Sequence, residues 1–400
     1  MTLSRRAFLG TAAAAGLTPR IISRWSMRQP PPDRFDPWVE VDPQALAFNV
    51  GQIRRLNGGR PILAVVKNNA YGLDLAIAGG LLEPRQEIEG FAVVRTDEAL
   101  HLRDAGIRKP VLLMARAAER DAPELVARGI TLAVYADDDP RRLAPIARGR
   151  GPIPVHAYVD TGMSRMGIPY HRAMPFLREL AVSGAFRIDG TFMTFTEEPD
   201  FDPEQLRRFQ ELIAAARGAG LPLGRLHAAS SNGVFHLPEA HLDLVRPGIA
   251  LYGAYPSRPE EERAKAELRP AFRLRARVVR VERLQIGDSV SYGRHYVATK
   301  PVWVATLPVG HADGYPRKTV DGARVLIGEG LYPVIGAVSA SHSIVEVGDE
   351  PVVRIGDVAT LLGPDHPAIH PNAVAQATGA SVYDLLMHLS PTLPREVVGR

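Results

Sequence analysis

Runs of four to eight mostly apolar residues recur along the first two thirds of the chain, at 62–66, 90–94, 110–114, 131–135, 154–159, 188–195, 225–229 and 242–245. Their continuous apolar character predicts strands covered on both faces. Between them, stretches such as 97–105 and 203–219 place apolar residues three and four apart, which predicts amphipathic helices. Eight alternating units within about 200 residues suit a β/α barrel better than an open doubly wound sheet. No Gly-x-Gly-x-x-Gly fingerprint competes with that reading. The charged segment 260–269 reads as a hinge, and beyond it the period falls to two: Leu274, Ala276 and Val278 alternate with Arg273, Arg275 and Arg277. Further short runs at 303–308, 324–327, 333–335 and 352–362, separated by turn signals, predict a mainly antiparallel β domain. The expected division is a barrel over 38–259, the hinge, and a β domain over 270–400. An extended linker at 29–37 holds Pro30-Pro31-Pro32.

Composition narrows the class. Hydrophobic residues make up 46% of the 400, enough for sizeable cores. No segment is long and apolar enough to span a membrane. The formal charge of +4 comes from scattered arginines without basic runs or interleaved aromatics, which argues against a nucleic-acid partner. The chain has no cysteine, so disulfides, thiolate metal sites and cysteine nucleophiles are out. The 12 histidines lack a ligand-like spacing with a carboxylate, and no metal is expected. At the amino terminus, Ser4-Arg5-Arg6-Ala7-Phe8-Leu9 precedes a short run of small apolar residues and then Pro19. Residues 1–28 resemble a twin-arginine export signal, which implies a folded, cofactor-loaded protein delivered to the periplasm.

The most informative segment is 61–72. An apolar run of strand length ends in Lys67, and Asn68, Asn69, Ala70, Tyr71 and Gly72 follow at once. A strand-end lysine can simply reach solvent along its stem. Here lysine is scarce, the others being Lys109, Lys265, Lys300 and Lys318, while arginine fills most basic positions. A lysine held at the end of a buried strand has fixed geometry and a depressed pKa, as a Schiff-base amine needs.

Residues 64–72 resemble the A-V-V-K-A-N-A-Y-G motif of the alanine racemase family, and further motifs follow in the family's order. Residues 159–167 (V-D-T-G-M-S-R-M-G) are similar to V-D-T-G-M-x-R-x-G. Residues 244–253 (L-V-R-P-G-I-A-L-Y-G) are similar to M-V-R-P-G-I-A-L-Y-G, and 290–293 match V-S-Y-G. The resemblance spans about residues 38 to 395. It implies a pyridoxal-phosphate racemase with Lys67 as the Schiff-base lysine and Tyr292, from the other subunit of a homodimer, as the second base on the opposite face. It further implies Tyr71, Ser231, Gly248, Ile249 and Tyr383 around the phosphate, and Arg246, backed by His227, against the pyridine nitrogen. Arg165 is implied at the phenolic oxygen and the substrate carboxylate, with Ala340 on the substrate side. Such a site interconverts L- and D-alanine.

The chain departs from the family at several places. Tyr158 stands for the lysine before V-D-T-G, and Met193-Thr194-Phe195 for T-H-F. His311 replaces the tyrosine of G-Y-A-D-G, and Ser339-Ala340-Ser341-His342 replaces C-M-D-Q. These changes fall on the substrate side, so cofactor binding is expected to persist while residues bulkier than alanine gain entry. Two alternatives stay open: a broad-specificity racemase, and a pyridoxal-phosphate-binding homologue without turnover. A decarboxylase of similar architecture fits less well, because its usual cysteine proton donor is absent.

Overall fold

A computed structural model describes residues 37–399; the segment expected to be an export signal and nearly all of the expected linker lie outside the described residues. Seven parallel strands run in order around the first sheet, Ile62–Val65, Ile88–Val93, Val111–Leu113, Ile130–Val134, Ile153–Asp160, Phe186–Phe192 and Arg225–His227, and a short eighth, Ile168–Pro169, pairs off this path with Ile153–Asp160. The eighth expected run, 242–245, makes no regular strand. Its Leu244 bridges to His227 and its Val245 to Ile62, and these two parallel bridges close the barrel. Burial explains the staves: every residue of Ile62–Val65 and Ile130–Val134 is buried, as parallel strands covered on both faces require. The run expected at 188–195 leaves the regular ladder after Phe192, and Thr194 and Phe195 beyond it line the cavity at the barrel mouth.

Helix Pro43–Leu56 shows how sequence sets an outer layer. Asp42 caps it, its carboxylate accepting from the amides of Gln44 and Ala45, and proline occupies the first turn. Ala45, Leu46, Asn49, Val50 and Ile53 form its buried stripe. The Asn49 amide donates to the carbonyls of Leu251 and Arg269 and its Oδ1 accepts from the Arg269 amide. That clamp joins the helix to the chain between the two domains.

The second sheet is nine-stranded and mainly antiparallel. Leu274 and Ala276 face its core while Arg273 and Arg275 face outward to Asp365 and Glu40. Its membership differs from the expected boundary in one respect. Trp38–Val41, at the expected start of the barrel, pairs antiparallel with Phe272–Arg277 and parallel with Arg395–Val397. Trp38, Val39 and Val41 are buried and Glu40 less so, and the pairing partners, not the burial pattern, assign the strand to the β domain. The hinge contains helix Pro259–Lys265, whose buried Glu262 meets His236 and Ser257. After the β domain, helices Pro371–Thr378 and Val382–Met387 return to the barrel mouth and bring Tyr383 with them.

Candidate active site

Strand Ile62–Val65 delivers Lys67 to a cavity of ≈ 290 Å³ at the C-terminal end of the barrel strands. The turn that follows is unusual. Asn68, Asn69, Ala70 and Tyr71 all have φ of 54°, one turn of left-handed helix, before Gly72 at φ 86°. This handedness costs about 1–2 kcal/mol per non-glycine residue, asparagine being the more tolerant. Neighbours hold it in place. The Glu98 carboxylate accepts from the Asn69 amide (3.3 Å), Asn69 Oδ1 accepts from the Leu75 amide (2.9 Å), and Arg395 donates to the Gly72 carbonyl (2.8 Å). Gly72 is required: a Cβ there would lie 2.2 Å from the Leu386 carbonyl oxygen.

The turn places the Tyr71 ring beneath the cavity, 5.0 Å from Tyr252 and 6.4 Å from Tyr383. Its hydroxyl occupies the space a side chain at 248 would fill, 2.1 Å from the ideal Cβ position of Gly248. Ser231 Oγ accepts from the amides of Gly248 (2.9 Å) and Ala250 (3.2 Å), fixing the turn that Ile249 continues. Burial pushes both Tyr71 and Tyr383 up, so both are neutral hydroxyls with a proton to donate.

Burial, then the Arg165 charge, lowers the Lys67 pKa, against the opposing pull of Glu98 and Glu197. The shift is in the direction that favours the free amine, the form that is a nucleophile toward a carbonyl and a base toward carbon. Arg165 stands exposed on the cavity wall. Its loop is built by Asp160, whose Oδ1 accepts from the amides of Gly162, Met163 and Ser164. Arg246 is buried at the cavity floor. It donates to His227 Nδ1 (2.8 Å) and to the carbonyls of Met193 (2.7 Å) and Ala228 (3.2 Å), all neutral acceptors. Without a carboxylate partner, burial lowers its pKa to about 10, still a cation at neutral pH.

The structure thus brings Lys67, Tyr71, Arg165, Ser231, Arg246, Gly248, Ile249 and Tyr383 around one cavity, with His227 directly behind Arg246. It does not bring Tyr292 or Ala340 there. Both are exposed on the β domain, Tyr292 to 77%. Ala340 and His311 share one edge, where the His311 amide donates to Ser339 and the Ala312 amide to Ala340.

Two features of the wall were not read from sequence. The two substituted positions Tyr158 and Thr194 touch each other, the Tyr158 hydroxyl donating to Thr194 Oγ1 at 3.0 Å. Glu197, at φ 63°, lines the same cavity and accepts from Ser230 Oγ at 3.0 Å. Burial raises its pKa, although the residue is open to solvent at the cavity mouth in the single chain. In the sequence Glu197-Glu198 looks like a solvated charge pair, and only its distance of three residues from Thr194 ties it to the site.

Two family models match the chain, "Alanine racemase, N-terminal domain" over residues 41–256 and "Alanine racemase, C-terminal domain" over 271–397. The alanine racemase of Syntrophobacter fumaroxidans is 36% identical over 361 residues, covering 87% of this chain and 94% of its own. That of Desulforamulus reducens is 32% identical over 373 residues, covering 90% and 99%. Among solved structures, the alanine racemase from D-cycloserine-producing Streptomyces lavendulae superposes with a TM-score of 0.85 at 27% identity, covering 92% of this chain and 98% of that one.

Proposed function

The chain belongs to the alanine racemase family, and from that membership and the cavity around Lys67 we propose an amino-acid isomerase that interconverts L- and D-alanine with two bases, Lys67 and Tyr292. The observation that carries the reading is the convergence of a lysine whose pKa burial lowers, donor hydroxyls, an exposed arginine and a buried, carboxylate-free arginine on one cavity.

The residues present fit pyridoxal phosphate. Lys67 offers an amine to its aldehyde, the Tyr71, Tyr383 and Ser231 hydroxyls with the Gly248–Ile249 turn suit its phosphate, and Arg246 suits an acceptor nitrogen. When bound, this cofactor supplies an electron sink that acidifies the bond between Cα and hydrogen. Arg246 donates a hydrogen bond but keeps its proton, which leaves the sink weak and favours return of the proton to carbon. Arg165 takes the substrate carboxylate. Lys67 Nζ moves the Cα proton on one face, and Tyr292 Oη, brought by the β domain of a second copy, moves it on the other. Two bases are needed because a single amine would return the proton to the face it left.

The small side chains at Ala340 and Ser341 lead us to expect residues bulkier than alanine as additional substrates, since one methylene shifts specificity by only about 1–3 kcal/mol. We place the enzyme in the periplasm on the strength of the Arg5-Arg6 signal, so that replacing both with lysine should retain it in the cytoplasm.

The deciding experiment incubates purified protein and pyridoxal phosphate with each common L-amino acid in deuterium oxide and measures D-enantiomer and Cα deuterium. Formation of deuterated D-alanine is the expected result. A bound chromophore with no D-enantiomer from any amino acid would establish the non-catalytic alternative. Lys67→Ala should lose the borohydride-fixed chromophore of the wild type.

A further inference from the structure

Behind the active site a line of hydrogen bonds runs through the barrel core. Arg246 has donors only, so His227 Nδ1, 2.8 Å away, must accept. The proton of neutral His227 is then on Nε2, which lies 2.9 Å from His156 Nδ1 and must donate to it. The proton of His156 is in turn on Nε2. The donor-only guanidinium at one end and the acceptor nitrogen of His156 at the other thus agree on one tautomer of His227.

The surroundings are shaped for this line. His227 is wholly buried, and Phe192 stacks on its ring at 4.9 Å and 9°. The Arg246 guanidinium lies over the same Phe192 ring at 5.1 Å. Gly190 makes room for His156, because a Cβ there would approach Cε1 and Nδ1 of its ring to 2.7 Å. On its far side His156 borders a second cavity of ≈ 430 Å³ at the opposite end of the barrel, lined also by Glu89, Asp189 and Arg225. Burial keeps both imidazoles neutral at physiological pH.

We propose that His156 is a positioning residue for Arg246: by accepting from His227 Nε2 it holds the tautomer that leaves His227 Nδ1 free to receive the guanidinium. Without that acceptor, His227 can carry its proton on Nδ1 and set a donor against the donors of Arg246. The arginine then loses a partner and turns from the cavity floor. The functional consequence rests on the reading of Arg246 as the hydrogen-bond donor to the cofactor nitrogen; the tautomers do not.

The test has two arms. Nitrogen-15 NMR of selectively labelled wild-type holoenzyme should show both histidines protonated on Nε2, and a Nδ1-protonated His227 or His156 would overturn the relay whatever the activity. The second arm compares His156→Leu, which lacks the acceptor, with His156→Asn, whose Oδ1 can stand near the place of Nδ1. The readout is the ratio of pyruvate released by side transamination, in which the amino group passes from alanine to the cofactor, to D-alanine formed. The leucine variant should raise this ratio about ten-fold, the scale of one hydrogen bond to a charged group. The asparagine variant should return it to within about three-fold of wild type. An unchanged ratio in the leucine variant, or equal defects in both variants, would reduce His156 to packing. Correct tautomers in a wild-type protein that racemises nothing would count against the proposed activity and leave the relay in place.

Discussion

Glu197 is the residue whose chemistry is least expected from the sequence. Its carboxylate lines the same cavity as Tyr71, Ser231 and Tyr383, and it accepts from Ser230, the neighbour of Ser231. A charge there opposes the phosphate that those hydroxyls suit. Glu197→Gln should therefore bind pyridoxal phosphate several-fold more tightly at pH 8, on the order of one like-charge repulsion across several ångströms of partly hydrated space. The pH dependence has a defined sign. Burial raises the Glu197 pKa, so acidification neutralises the wild-type carboxylate first and the difference between wild type and variant closes as pH falls. Fluorescence titrations of apoprotein at several pH values measure it; a variant that binds more weakly than wild type at every pH would mean that Glu197 supports the cofactor instead.

At the scale of elements, the left-handed turn from Asn68 to Tyr71 separates what sequence conveys from what it does not. The strand before it was legible, because an apolar run that is buried on both faces has few other fates. The motif also marked Lys67 and Tyr71. The handedness was not legible, since four residues at φ 54° include Ala70 and Tyr71, whose local preference is right-handed. Tertiary contacts from Glu98, Leu75 and Arg395 override that preference, and their partners are distant in sequence or follow no short pattern. The same holds for Trp38–Val41: its place in the chain suggests the barrel, while its strand partners lie more than 200 residues away. Asn69→Ala removes both the side chain that accepts from Leu75 and a residue tolerant of this backbone. It should cost about 2 kcal/mol, as a lost local hydrogen bond plus added strain. Chemical denaturation measures that loss. Because Lys67 sits at the head of the turn, kcat should fall more than KM rises; an unchanged kcat would show that the turn does not hold the amine.

For the molecule as a whole, two properties follow from how the parts are joined. The first is acid sensitivity. Burial pushes His156 down to about 4 from an ordinary 6.5, and His227 is depressed as well. Between these values the unfolded chain binds protons that the folded chain refuses, so stability falls as pH drops from 6.5 toward 4. His156 alone contributes on the order of 3 kcal/mol across that window. Urea unfolding at pH 7 and pH 4.5 should show the loss, and His156→Asn should make it shallower. The second is a prediction about assembly. Motif order named Tyr292, and the structure leaves Tyr292 exposed and outside the cavity of its own barrel. A two-fold dimer setting the β domain of one copy over the barrel mouth of the other would resolve this, with two equivalent sites per dimer. Lys67→Ala and Tyr292→Phe protomers would each be inactive alone. After random exchange, about half of the dimers are mixed, and each mixed dimer has one site with both native residues and one with neither, so about a quarter of all sites regain function. Racemisation measured after mixing, with exchange verified by native mass spectrometry, should reach that fraction; verified exchange without any recovery would place Tyr292 outside the catalytic pair.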